Sequence, residues 1–102
     1  MNICVVGVGL LGGSLALALR EKYPHVHFIG VDASTVNQKL ALAKGIVDEV
    51  QALEVAVPRS ELVVLATPVD VIERLLPTVF ALLPEGSTVM DLGSTKEQLC
   101  TL

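Results

Sequence analysis

The first apolar segment of the chain is uncharged throughout. From Ile3 to Leu19, seventeen residues carry no charge, and the segment opens with the mostly β-branched run "ICVVGV". Such a run is typical of a strand that is buried on both faces of a sheet. Apolar residues at helical spacing follow it, at Leu11, Leu15, Ala18 and Leu19. The pattern predicts a strand, a glycine-containing turn and a helix.

Further apolar runs alternate with helical patterns along the rest of the chain. The predicted strands are "VHFIGVD", the weaker "VDEVQ", "ELVVLA" and "STVMDL". The segment "STVNQKLALAKG" predicts a helix with Ser34 as its N-cap and Gly45 as its stop signal. The expected inner stripe of this helix consists of Val36, Leu40 and Ala43.

The remaining segments are less uniform. The connector "ALEVAVPRS" receives no assignment, and "PEG" predicts a turn. Helical spacing in the segment after the fourth strand links Ile72, Leu75, Leu76, Val79 and Leu83. Pro77 either kinks this helix or starts a second one. Ser94 and Glu97 form S-x-x-E, a capping box that predicts one more helix.

Alternating strands and helices predict an α/β fold. We expect a Rossmann-type, doubly wound parallel sheet of order 3-2-1-4-5, with the chain ending after strand 5. A ligand belongs at the carboxyl ends of strands 1 and 4, where the strand order reverses. The glycine turn, "ATPV" from Ala66 to Val69 and "DLGSTK" from Asp91 to Lys96 all fall at that edge.

The glycines of the first turn have the spacing of a dinucleotide fingerprint. Gly7, Gly9 and Gly12 spell G-x-G-x-x-G. The first permits a tight turn, the second lets the backbone approach a pyrophosphate, and the third lets the helix pack on the strand. The alternative is a glycine turn that only packs well.

An acidic residue lies where that fingerprint places one. Asp32 ends the second strand, twenty residues after Gly12. There a carboxylate accepts hydrogen bonds from the adenosine ribose, although a helix-capping role is the alternative. The residues that follow, Ala33, Ser34 and Thr35, include no arginine to hold a 2′-phosphate. The cofactor expected is therefore NAD.

Composition narrows the class of protein. The 102 residues predict one domain, and the mean hydropathy of +0.67 is consistent with a sheet covered on both faces. Clustered glycines and the lack of a preceding basic residue argue against a membrane span or a signal peptide. A net charge of −4 without a basic stripe argues against nucleic acid. Cys4 is expected to be a small buried hydrophobe, and the two cysteines fit a reducing cytoplasm.

Several motifs together resemble one enzyme family. The segments "VGVGLLGGSLALAL", "GVDAS", "ALAKGIVDE", "LVVLATPV" and "MDLGSTK" occur in this order. They resemble the N-terminal domain of prephenate dehydrogenase and its arogenate-using relatives, over essentially the whole chain. The resemblance implies hydride transfer from the ring carbinol of prephenate to NAD, with decarboxylation to 4-hydroxyphenylpyruvate in tyrosine biosynthesis.

The resemblance also implies roles for individual residues. The pyrophosphate is expected to lie against Gly7, Gly9, Leu10, Leu11 and Gly12. Asp32 should hold the adenosine ribose beside Ala33, and Val71 should pack near the adenine. Ala66, Thr67 and Pro68 should line the nicotinamide half. Ser94 matches a family serine near the nicotinamide, the substrate and the catalytic histidine, or it only caps a helix.

The family's other parts are expected beyond this chain. The catalytic histidine, the substrate-binding arginine and a helical domain that forms a homodimer are all placed after Leu102. The chain, residues 1–102, is thus expected to be the NAD-binding part of a longer enzyme and to be inactive alone. His25 and His27 are expected at the wrong sheet edge for catalysis and too few for a metal site. Alternatives are arogenate dehydrogenase, another β-hydroxyacid-type dehydrogenase or pyrroline carboxylate reductase, and a non-enzymatic NAD-sensing module.

Overall fold

Five parallel strands form one sheet of order β3-β2-β1-β4-β5 in the computed structural model, which describes residues 1–91. The strands are β1 (Asn2–Val6), β2 (His27–Val31), β3 (Glu49–Val50), β4 (Leu62–Leu65) and β5 (Thr88–Asp91). The helices are α1 (Leu10–Lys22), α2 (Thr35–Ala43), α3 (Leu53–Ala56) with a 3₁₀ turn (Val57–Arg59), and α4 (Val69–Leu82). The predicted fold class and strand order are confirmed.

The central strand β1 is buried on both of its faces. In its register Cys4 pairs with Ile29 of β2 on one side and with Val63 of β4 on the other. Ile3 and Val5 point into one apolar core, whereas Cys4 and Val6 point into a second one. Because both faces are covered, the strand needs apolar residues at successive positions rather than at alternate ones. Two cores on one sheet account for the high hydropathy.

Cys4 behaves as the small buried hydrophobe that was predicted. Its side chain is fully buried in the second core, on the central strand between β2 and β4. Burial raises the pKa of the thiol to about 12, since a thiolate there would lose its hydration. The thiol is therefore protonated at neutral pH, and it contributes packing rather than chemistry.

The predicted inner stripe of α2 is wrong. Val36 is 66% exposed, Leu40 is 47% exposed and Ala43 is also exposed, whereas Ala41 is fully buried. This helix is short and covers the sheet through one small residue, and Ile46 and Val47 beyond Gly45 supply the larger apolar contacts. Gly45 has φ +69° and ends the helix as predicted.

The helix α1 also differs in detail from its predicted pattern. Ala18 is exposed, and the residue that is fully buried against the sheet is Ala16. Leu15 and Leu19 pack beside it, as the spacing indicated. A small residue faces the strands because this helix lies close to them. The side chains of Leu10 and Leu11 fall outside what the structure describes.

The ambiguous segments each adopt a definite structure. The unassigned connector forms α3 and the 3₁₀ turn, and Pro77 lies inside the single helix α4. Ile72 and Val79 of α4 are buried in the second core, with the three leucines of the stripe partly buried beside them. In the "PEG" turn Gly86 has φ +86°, and Ser87 N–H donates to the carbonyl oxygen of Pro84. The predicted capping box at Ser94 lies outside the described residues.

Within residues 1–91, no helix has both the length and the apolar character that a membrane crossing requires.

A cluster of charged side chains closes the edge of the sheet at the amino end of β2. Glu49 accepts two hydrogen bonds from Arg59, at 2.9 and 3.2 Å, and it also contacts the imidazole of His27. Arg20 likewise donates two hydrogen bonds to the carboxylate of Asp48. Since β3 has only two residues, these side chains supplement a very short ladder of backbone hydrogen bonds. His27 opens β2, as predicted, at the end opposite to the glycine turn. Residues 1–91 contain no cluster of three side chains able to hold a metal.

This cluster predicts a specific loss of stability in acid. Hydrogen bonds from Arg59, and then from His27 and Gln51, lower the pKa of Glu49 from 4.5 to about 2. A lowered pKa in the folded state stabilises the fold above pH 4.5, and this contribution disappears as the pH falls from 4.5 to about 2. Glu49→Gln should therefore lower the urea midpoint at pH 7, and the difference from wild type should shrink towards pH 2. Glu54→Gln, at an exposed glutamate of α3, is the control. A difference that stays constant across this pH range would contradict the assignment.

Candidate functional site

The turn after β1 requires glycine at its first position. Gly7 has φ +91°, a conformation that other residues rarely adopt, and its N–H donates to the carbonyl oxygen of Val31 at 2.7 Å. A Cβ atom at this position would lie 2.8 Å from Cγ2 of Thr67. The chain therefore turns sharply against the carboxyl end of β4, as the motif predicted.

Gly12 brings α1 directly onto this turn. A Cβ atom at Gly12 would collide with the carbonyl oxygen of Gly7 and would lie 3.1 Å from the Cβ of Ala66. The backbone of the helix thus touches the backbone of the turn, and any side chain would push them apart. The predicted packing role of Gly12 is confirmed.

Gly9 is different, because no contact within the part of the chain that the structure describes requires a glycine there. Its φ of −74° is open to any residue, and the nearest atom to an added Cβ, Nδ2 of Asn37, is 3.7 Å away. Gly9 immediately precedes α1, and the first N–H groups of a helix lack partners within the helix. An absent side chain beside such N–H groups leaves room for an anion to approach them closely. The residue fits a phosphate-bearing ligand better than it fits a packing role.

Asp32 lies directly beside the glycine turn. Its Oδ2 accepts hydrogen bonds from the N–H of Val8 at 3.0 Å and from Nδ2 of Asn37 at 3.2 Å. Its Oδ1 accepts one from the N–H of Ser34 at 2.8 Å. Ser34 caps α2 as predicted, since its hydroxyl accepts from the N–H of Asn37. Asp32 therefore organises the loop without capping α2, so the capping alternative is wrong. Its side chain also lines the cavity described next.

A cavity of about 350 Å³ opens beside the glycine turn at the carboxyl ends of β1, β2 and β4. Its walls are Val6, Gly7, Val31, Asp32, Ala33, Leu53, Thr67, Val71 and Leu75. Five of the predicted site residues thus meet in one place. Ligand pockets range from about 300 to 1,000 Å³, so this volume suits one nucleoside rather than a whole dinucleotide.

Sequence reasoning missed four of the residues that line this cavity: Val6 and Val31, which were expected only as strand residues, and Leu53 and Leu75. Leu53 lies in the connector that received no assignment, and Leu75 was expected in the core. Nothing in the sequence marks either residue as part of a site, because a leucine in a ligand cavity and a leucine in a core have the same pattern. Their apolar side chains give the cavity a surface suited to a flat aromatic ring.

The segment between β4 and α4 forms another wall. Ala66 touches the glycine turn, Pro68 precedes the first turn of α4, and Thr67 lies against Gly7. The hydroxyl oxygen of Thr67 is buried and has no hydrogen-bond partner among residues 1–91. A buried hydroxyl without a partner is costly, so this atom suits a site completed by a ligand. The nicotinamide role of these residues stays a prediction. Ser94 lies outside the described residues.

The geometry defines a class of protein. A parallel sheet with its strand order reversing beside β1, a glycine turn into α1, and a carboxylate at the end of β2 together form a Rossmann-type nucleotide-binding domain. In this domain, Val8 links the two predicted features. Its N–H donates a hydrogen bond to the carboxylate of Asp32, and the next residue along the chain is Gly9.

Comparisons with known proteins agree with this class. A family model described as "Prephenate dehydrogenase, nucleotide-binding domain" matches residues 15–101. The prephenate dehydrogenase of Lactococcus lactis is 31% identical over 102 residues, which are 99% of this chain and 28% of that protein. The chain belongs to the prephenate dehydrogenase family, as its nucleotide-binding domain.

Solved structures show the same likeness. Prephenate dehydrogenase from Aquifex aeolicus, in complex with hydroxyphenyl propionate and NAD+, has a TM-score of 0.84 and 31% identity. Arogenate dehydrogenase from Synechocystis has a TM-score of 0.82 and 31% identity. Each match covers 93% of this chain and 34% of the other. The chain thus spans about a third or less of the length of these relatives.

Two adjacent glycines in α1 allow a direct test of the close approach between the helix backbone and the turn after β1. Gly12→Ala should destabilise the fold by about 3 kcal/mol, since overpacking typically costs about 1 to 3 kcal/mol and here the clash is with backbone. Gly13→Ala is the matched control. Its Cβ would lie at an ordinary 3.4 Å from Cδ1 of Ile46, and removing a helical glycine typically gains up to about 1 kcal/mol. Urea unfolding measures both variants, and equal effects would show that the approach at Gly12 is not tight.

Proposed function

We propose that this chain is the NAD-binding part of a prephenate dehydrogenase. The observation that carries the proposal is Gly9, which the fold leaves uncovered beside the carboxylate of Asp32. A glycine that packing does not require, at the amino end of a helix, suits the pyrophosphate of a dinucleotide. The NAD+ named for the Aquifex aeolicus relative supports the choice of cofactor.

Different residues at the carboxyl edge of the sheet would bind different parts of the cofactor. The N–H groups at the start of α1, with Gly7 and Gly9, would hold the pyrophosphate, and Leu10 and Leu11 begin that helix. The carboxylate of Asp32 would accept hydrogen bonds from the adenosine ribose, beside Ala33. Val71 lines the same cavity and would pack against the adenine. When bound, NAD supplies the hydride acceptor of the reaction.

The remaining assignments concern the reaction itself. We propose oxidative decarboxylation of prephenate to 4-hydroxyphenylpyruvate. Arogenate is the alternative substrate, because the arogenate dehydrogenase of Synechocystis and the prephenate dehydrogenase of Aquifex aeolicus have the same sequence identity to this chain. Ala66, Thr67 and Pro68 would border the nicotinamide, and Ser94 would lie near the reacting centre. A homodimer formed by a further domain, a cytoplasmic location and the inactivity of these 102 residues alone stay predictions.

Cofactor choice tests the site at Asp32. NAD should bind at least about fivefold more tightly than NADP, because a 2′-phosphate would lie close to an ionised carboxylate and repulsion between such charges amounts to about 1 kcal/mol or more. Titration calorimetry with both cofactors on the full chain measures this ratio. Asp32→Ala should narrow it by removing the charge, and Asp32→Asn repeats the test with the shape retained. A wild-type chain that binds NADP as tightly as NAD would contradict the assignment.

A further inference from the structure

One side chain of α2 binds Asp32 and also lies beside the open space at Gly9. Nδ2 of Asn37 donates to Oδ2 of Asp32 at 3.2 Å. The same atom is the nearest neighbour of the open space above Gly9, at 3.7 Å from where a Cβ would lie. Asn37 therefore lies between the carboxylate and the glycine turn, although the dinucleotide fingerprint assigns no role to this position.

The chemistry of the contact fixes its direction. An ionised carboxylate only accepts hydrogen bonds, so the amide of Asn37 must present its NH₂ group to Asp32. The backbone of Asn37 is itself held in the first turn of α2, because its N–H donates to the hydroxyl of Ser34 at 3.3 Å. The donor thus comes from a fixed point on a capped helix and not from a mobile loop.

The hydrogen bonds of Asp32 leave it little freedom. A carboxylate has about four acceptor sites, and the donors Val8, Ser34 and Asn37 occupy three of them. Among residues 1–91, no further donor contacts the Asp32 carboxylate, which leaves one acceptor site on Oδ1 for a ribose hydroxyl. The Val8 and Ser34 donors are backbone groups, which persist in any variant. Asn37 is the side-chain donor among the three, so it is the one that substitution can remove.

The charge of Asp32 is not neutralised by these contacts. All three donors are uncharged, and no lysine or arginine among residues 1–91 forms a salt bridge with Asp32. Lys44 lines a neighbouring cavity of about 310 Å³ together with Asn37. Among residues 1–91, the carboxylate therefore has no cationic partner in direct contact.

We propose that Asn37 is a positioning residue that fixes the Asp32 carboxylate towards the adenosine ribose and so sets the preference for NAD over NADP. This inference rests on the proposed function. Without the amide, Oδ2 keeps the N–H of Val8 and Oδ1 keeps the N–H of Ser34, but the side-chain restraint on Oδ2 is lost and the carboxylate is held less firmly towards the ribose. NAD then loses a well-aimed acceptor, whereas NADP is relieved of a well-aimed repulsive charge.

The test measures both cofactors by titration calorimetry on the full 102-residue chain. Asn37→Ala should weaken NAD binding about three- to tenfold and NADP binding less, so that the ratio of the two Kd values narrows. Asn37→Asp keeps the shape but cannot donate when ionised, and it should weaken NAD binding at least as much. Val36→Ala, at the exposed neighbour in α2, should leave both Kd values unchanged. Urea unfolding confirms that each variant is folded.

The outcomes separate the two proposals. A narrowed ratio in Asn37→Ala, with Val36→Ala unchanged, supports the positioning role. A wild-type chain that prefers NAD, together with an unchanged ratio in Asn37→Ala or full NAD affinity in Asn37→Asp, overturns the role of Asn37 alone. A wild-type chain that binds no NAD overturns the proposed function and this inference with it.

Discussion

The structure depends on the direct contact between the backbone of α1 and the backbone of the turn after β1. At Gly12 there is no space for a side chain between the helix and the carbonyl oxygen of Gly7. Ala66, at the end of β4, lies against the same point. This contact fixes where the helix begins relative to the strands. The N–H groups at the start of α1 therefore lie at the carboxyl edge of the sheet, where the order of strands reverses.

The same region uses one carboxylate for folding and for the proposed binding. Asp32 joins the glycine turn to α2 through Val8, Ser34 and Asn37. The fold thus prepares the orientation of the carboxylate before any ligand arrives, and a pre-formed site avoids the cost of ordering it on binding. The distant cluster around Glu49 has no part in this site and stabilises the opposite end of β2. The charged cluster and the proposed site therefore lie at opposite ends of β2.

Much of the fold could be predicted from the sequence, because buried parallel strands leave long apolar runs and turns leave glycines. Asp32 and the three glycines could be found by their spacing alone. The inward face of α2 could not, since Ala41 is the contact residue and larger apolar residues at helical spacing are exposed. The helix is too short and too far towards the sheet edge for the periodic pattern to decide its orientation. Leu53, Leu75 and Asn37 were missed as site residues because only the folded chain brings them to the cavity or to Asp32.

The central claim is that the missing side chain at Gly9 leaves room for a ligand and is not required by packing. The most direct measurement compares NAD binding and urea unfolding of Gly9→Val with those of the wild-type chain. The account predicts that the free energy of unfolding changes by no more than about 1 kcal/mol, since the position is open and its φ is ordinary. NAD binding should fall by at least about a hundredfold, because the side chain would occupy the space of the pyrophosphate. A variant that is folded and binds NAD with wild-type affinity would contradict the account and reduce the glycine turn to a packing motif.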